Sequence, residues 1–87
     1  AEYCFGYFYS RNGIDTQHRE LICFCLIAAM GGCDDRLLVH ARGCRNHKIT
    51  KDEMIAVATV IMPWIGFPRT LNAVNIINKA YSSEQVM

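Results

Sequence analysis

The chain has 87 residues, enough for one small domain. It is 52% hydrophobic and 20% charged, with six Gly and two Pro, which excludes disordered and collagen-like polypeptides. Nine basic residues against eight acidic ones give a net charge of +1 with no stripe of Lys and Arg, so nucleic acid is not an expected partner.

Residues 2–10 are rich in aromatics (Tyr3, Phe5, Tyr7, Phe8, Tyr9). They read as a short helix or an extended arm within an N-terminal segment, 1–14, that includes the turn Ser10-Arg11-Asn12-Gly13. Asp15 or Thr16 is a candidate N-cap, and a helix is predicted from about Thr16 to Met30. Its start, Gln17-His18-Arg19-Glu20, is polar. From Leu21 to Ala29 apolar residues cover every side, as in a helix central to a fold or wedged between subunits. Gly31-Gly32 stops it. A second helix starts near Cys33 or Asp34, where Asp34 and Asp35 suit the positive end of its dipole. It presents Leu37, Leu38, Ala41 and Cys44 on one face and ends at Asn46-His47-Lys48.

Thr50-Lys51-Asp52-Glu53 has the pattern of a capping box. The helix it opens is predicted to reach about Met62 and to break near Pro63. Gly66-Phe67-Pro68 marks a fourth start, with Pro68 at or near the first helical position, and that helix is predicted to run to about Tyr81. A short tail, 82–87, follows. No strand alternation, internal repeat or low-complexity stretch is present. The expected fold is all-α: one domain over 1–87 with a helical core over 15–81.

The longest uncharged stretch, Met54 to Pro68, is interrupted by Pro63 and falls short of the roughly 20 apolar residues a bilayer span needs, so no membrane helix is expected. No signal-peptide pattern is visible. The chain opens on Ala1-Glu2 without Met, which reads as a fragment or a trimmed chain. The cysteines, Cys4, Cys23, Cys25, Cys33 and Cys44, are odd in number and match no zinc spacing. Cys23 and Cys25 lie in an apolar run, as small buried hydrophobes do, and a reducing, cytoplasmic setting is expected. A domain of this size buries only about 60–65% of its unfolded surface. The apolar surplus then needs a sink, and a homo-oligomeric interface is the simplest one.

His40 is the most informative residue. It follows Cys33 by about two helical turns, so the two side chains can share a face. A thiol at a helix N-terminus gains thiolate character, and a nearby imidazole can supply or remove a proton. The plainer reading is a capping thiol and a His bonded to neighbouring backbone. Glu20, a turn into the first helix, can meet the second helix in a hairpin and orient His40; otherwise it is a favourable charge near a positive helix end. Arg69 stands where a cation is disfavoured, at a helix start. That placement makes sense if an anion docks there; the alternatives are a solvated Arg or a subunit salt bridge. Arg19, Arg36, Arg42 and Arg45 are further cations, most of them expected to be solvated or paired. His18 and His47 look ordinary. Cys44-x-x-His47 supplies only two ligands, so no metal site is expected, and no Gly-rich phosphate loop or G-x-S-x-G elbow occurs.

Four stretches, in this order and spacing, carry a resemblance over about Phe5 to Tyr81. The first is Tyr9-Ser10-Arg11-Asn12-Gly13 with the helix start Arg19-Glu20-Leu21; the second is His40-Ala41-Arg42-Gly43. The third is Ile49-Thr50-Lys51-Asp52-Glu53-Met54-Ile55, and the fourth runs Gly66-Phe67-Pro68-Arg69-Thr70-Leu71-Asn72-Ala73. In these the chain resembles the carboxymuconolactone decarboxylase family, related to the alkylhydroperoxidase D-like proteins. The resemblance implies an all-helical fold that assembles as trimers or hexamers. It also implies a small anionic organic substrate. Decarboxylase members act in aromatic catabolism through protocatechuate and β-ketoadipate, removing CO₂ from a carboxylated γ-lactone without metal or organic cofactor. On that pattern His40 is the acid and Glu20 its orienter, while Arg69 or Arg42, with Arg19 a further candidate, binds substrate carboxylate.

Hydroperoxidase-like members carry C-x-x-C-x-x-x-H with a relay Glu about a dozen residues ahead. Cys33, His40 and Glu20 match, but Arg36 stands in the place of the second Cys. Cys44 is an alternative resolving thiol. It lies roughly 16 Å from Cys33 along a continuous helix, whereas a disulfide needs Cα atoms within about 7 Å. A partner thiol from another subunit stays open. Asn46-His47-Lys48 stands where members commonly have a Gly, with Asn able to take the left-handed conformation. The leading expectation is a decarboxylase-like enzyme. A thiol peroxidase using Cys33 and His40 is the alternative, and a non-enzymatic oligomeric binding protein the third.

Overall fold

The computed structural model describes residues 13–86, with side chains to Ser82. The aromatic segment at 2–10 lies outside them. Four helices account for the rest: α1 (Thr16–Met30), α2 (Asp34–Asn46), α3 (Lys51–Ile65) and α4 (Phe67–Val86), with no strand among the described residues.

Local chemistry sets most of the helix ends. Asp15, in an extended conformation, caps α1 by accepting from the His18 N–H at 2.8 Å. Gly31, at φ 74°, ends α1 and donates its N–H to the Ile27 carbonyl. Cys33 occupies the N-cap position of α2 without a side-chain cap bond, and Asp34 and Asp35 fill the first turn. At α3 the capping box closes both ways, Thr50 Oγ1 accepting from Glu53 N–H and Glu53 Oε1 from Thr50 N–H.

Three expectations need correction. The break at Pro63 does not occur: α3 continues through it to Ile65. Pro63 falls in the last turn and, like Thr59 one turn earlier, faces solvent, so the carbonyl it leaves without an N–H partner can be hydrated. The fourth helix runs past Tyr81 to Val86, and no Gly or Pro lies there to stop it. The left-handed residue after α2 is Lys48, at φ 71°, not Asn46, which is still helical.

The helices form a slab of 34 × 33 × 20 Å. A helix with its side chains is about 10–12 Å across, so the slab is two helix layers thick and every helix keeps one side outward. α3 packs chiefly on α4, α1 on α2, and α2 on α4. Phe24, Leu37, Met54, Ile77 and Cys44 are the largest fully buried side chains. Around them Ala28, Ala41, Ala58, Ala73 and Ala80, drawn from all four helices, let the backbones approach closely. Polar ties close the bundle at its edges: Tyr81 Oη donates to the Ile49 carbonyl, Arg45 to the Ala80 carbonyl, and Asn72 Nδ2 to Asp34. The all-round apolar half of α1 buries only part of its surface. Phe24 and Ala28 face the core, while Ile22, Leu26 and Met30 stay exposed. Val60, Trp64, Phe67 and Leu71 make a second exposed apolar group at the α3–α4 corner. No helix among the described residues is long and apolar enough to cross a membrane.

Candidate functional site

The α1–α2 hairpin brings two of the candidate residues together. Glu20 lies in the second turn of α1 and His40 in the middle of α2. His40 Nδ1 and Glu20 Oε1 are 2.9 Å apart, with the two side chains only 15% and 13% exposed. An ionised carboxylate can only accept, so Nδ1 carries the proton and donates it. That bond orients the ring, and Nε2 can take up a proton when the ring is neutral and give one up when it is charged. No described residue gives Nε2 a hydrogen bond. Partial burial strengthens the pair, because there is less water to screen it.

The thiols divide sharply. Cys33 is half-buried at the start of α2, in a shallow hollow with Gly32, Asp34, Asp35 and Arg36; His40 does not line it. Cys44 is fully buried, and burial, followed by the nearby Glu20 carboxylate, pushes its thiol up to about 12. A thiol held protonated in this way is a poor resolving group. Burial also raises Cys25. None of Cys23, Cys25, Cys33 and Cys44 forms a disulfide. No group of three or more His, Cys, Asp or Glu among the described residues is placed to hold a metal ion.

Arg69, Arg42 and Arg19 lie on three different helices, α4, α2 and α1. Arg69 lays its side chain over Gly31, so close that a Cβ there would sit 2.7 Å from its Nε. Gly31 is roughly 16 Å along α1 from Glu20, at 1.5 Å per residue. In that position Arg69 complements the negative end of the α1 dipole. Arg42 is exposed and two residues past His40, which turns it to a different side of α2. Arg19 is half-buried beside Glu20 on α1.

Sequence reasoning missed an open groove of about 350 Å³ between α1 and α3, lined by Gln17, His18, Leu21, Ile49, Glu53, Ala56 and Val57. His18, read as ordinary, also pairs with Asp15 at 2.8 Å on the surface; the i, i+3 spacing of Asp and His at a helix start is the available signal. His47 bonds the Gly43 carbonyl at 2.8 Å, as expected of a helix-end histidine.

A family model described as the carboxymuconolactone decarboxylase family matches residues 1–79, most of the chain. The chain belongs to that family. A curated 4-carboxymuconolactone decarboxylase of Acinetobacter baylyi is 26% identical over 81 residues, covering 93% of this chain and 60% of the relative. The chain thus spans about three fifths of that relative's length. Glu20–His40 is the part-buried one of the two His–carboxylate pairs among the described residues; Asp15–His18 is exposed.

Proposed function

We propose that this chain is a decarboxylase of small anionic lactones that needs no cofactor, with His40 as proton donor and Glu20 as its orienter. The Glu20–His40 hydrogen bond carries the reading, and the activity for which the Acinetobacter relative is named supports it. Loss of CO₂ breaks a carbon–carbon bond and leaves its electron pair on the lactone, where the unsaturated carbonyl accepts it as an enolate. The imidazolium Nε2 then delivers its proton to carbon. A positioned acid of this kind contributes about 10²–10⁴-fold. Arg69, Arg42 or Arg19 would hold the carboxylates, steadying the dianion and the developing charge.

We also propose that the working form is a homo-oligomer. The exposed Ile22, Leu26 and Met30 on α1, with Val60, Trp64, Phe67 and Leu71 at the α3–α4 corner, support it. A second copy would bury these side chains.

The thiol-peroxidase reading rests on Cys33 at the start of α2. It is the weaker one, because Arg36 replaces the second Cys and Cys44 is buried and protonated. The deciding assay is CO₂ release from the carboxylated γ-lactone. The decarboxylase reading expects turnover that survives Cys33→Ser and is lost in His40→Ala. Thiol-dependent peroxide consumption abolished by Cys33→Ser favours the alternative. A pure oligomer that touches neither substrate favours a binding protein.

A further inference from the structure

We infer that Gly43 is a positioning residue whose missing side chain forms the seat in which Glu20 holds the His40 imidazole. The inference deepens the decarboxylase reading, since it concerns the same pair. Gly43 lies inside α2, where glycine is disfavoured relative to alanine. Its backbone gives no reason for glycine, for it is not among the residues with positive φ. The reason lies across the hairpin. A Cβ at position 43 would lie 2.6 Å from Glu20 Oε1, 3.0 Å from its Cδ and 3.6 Å from its Cγ. The three nearest atoms all belong to the Glu20 side chain, and none to the α1 backbone. The crowded oxygen, Oε1, is the one that accepts from His40 Nδ1 at 2.9 Å.

A methyl group needs about 3.5 Å from such a neighbour. The crowded atoms are the end of a flexible side chain and not backbone, so Glu20 yields rather than the helices. Oε1 then withdraws by most of an ångström, and its bond to His40 stretches or breaks. Gly43 thus acts through Glu20 on the tautomer and aim of His40, without touching substrate itself.

The test is nitrogen NMR of the histidine ring in the whole chain, with the His40 signal assigned from His40→Ala. At a pH alkaline enough for the ring to be neutral, the native protein is expected to carry the ring proton on Nδ1. Gly43→Ala is expected to lose that tautomer, as Glu20→Ala does, and the double variant to match Glu20→Ala alone. Lactone decarboxylation is expected to fall about 10²-fold in Gly43→Ala, the scale of a 1 Å misplacement, with no further fall when Gly43→Ala is added to Glu20→Ala. A methyl that only disturbs the fold would lower both backgrounds equally. In the Glu20→Ala background the added alanine is instead expected to raise the melting temperature, because the obstruction is gone and helix propensity improves.

Retention of the Nδ1 proton in Gly43→Ala overturns the inference, as does equal destabilisation of both backgrounds. Should Gly43→Ala not fold, a folded double variant supports the inference and an unfolded one overturns it. If the native chain releases no CO₂ from any lactone, the functional reading fails by itself. The tautomer comparison, which needs no substrate, still decides the role of Gly43.

Discussion

Replacing Lys48 by Gly should stabilise the protein. Lys48 sits at φ 71°, the left-handed region, where a side chain with a Cβ costs about 1–2 kcal/mol. It is held there by the end of α2: its N–H bonds the Arg45 carbonyl at 3.0 Å, and the next N–H, from Ile49, reaches back to Cys44 at 3.0 Å. Ile49 then buries its side chain in the core with Cys44. This is a Schellman-type stop, which favours glycine at the position Lys48 occupies. Glycine relieves the strain but loses about 0.5–1 kcal/mol more backbone entropy on folding. The net gain is about 0.5–1 kcal/mol, or roughly 2–8 °C in melting temperature for a domain of this size. Thermal denaturation followed by circular dichroism checks it, with all variants at one protein concentration, since association also raises Tm. Lys48→Ala, which removes the long side chain but keeps the Cβ, should stay near the native value. A Lys48→Gly protein no more stable than native, or a Lys48→Ala protein equally stabilised, would refute the reasoning.

Other substitutions probe separate parts of the structure. Thr50→Ala removes the Oγ1 acceptor for Glu53 N–H at α3 and should cost about 1 kcal/mol, read as a lower urea midpoint at unchanged slope. The backbone N–H of His18, then its ring, hold the Asp15 carboxyl below the ordinary 3.8. A depressed pKa means a contribution present above the unfolded value and lost as pH falls through the folded one. Carboxyl NMR should therefore find Asp15 titrating below 3.8, with the first turn of α1 loosening as it protonates, and a titration at or above 3.8 would deny the cap. Cys44, buried with its thiol near 12, should resist iodoacetamide at pH 8 in the folded chain and react only on unfolding. Native labelling of Cys44 as fast as Cys33 would contradict its placement.

The helix boundaries legible in the sequence are those written in local chemistry. Asp15, Gly31 and Thr50 each satisfy or end a run of backbone groups within a few residues. The end of α3 was misread because proline's penalty depends on whether the orphaned carbonyl meets water. The end of α4 was misread because nothing in its polar last turns signals a stop. Glu20 facing His40 was reachable from a helix hairpin and the family pattern together. Arg69 over Gly31 was not, since the side of α4 that meets the end of α1 is a property of the packed bundle. Gly43 was invisible for a related reason: a mid-helix glycine reads as a cost until the carboxylate opposite is seen.

The central claim is that the free nitrogen of a Glu20-held imidazole faces the bound anion. A titration of histidine-labelled protein with an unreactive, carboxylate-bearing lactone analogue tests it most directly. The account expects the Nε2 signal of His40 to move to saturation with ligand, while His18 and His47 stay put. Saturable binding with His40 unmoved would contradict it.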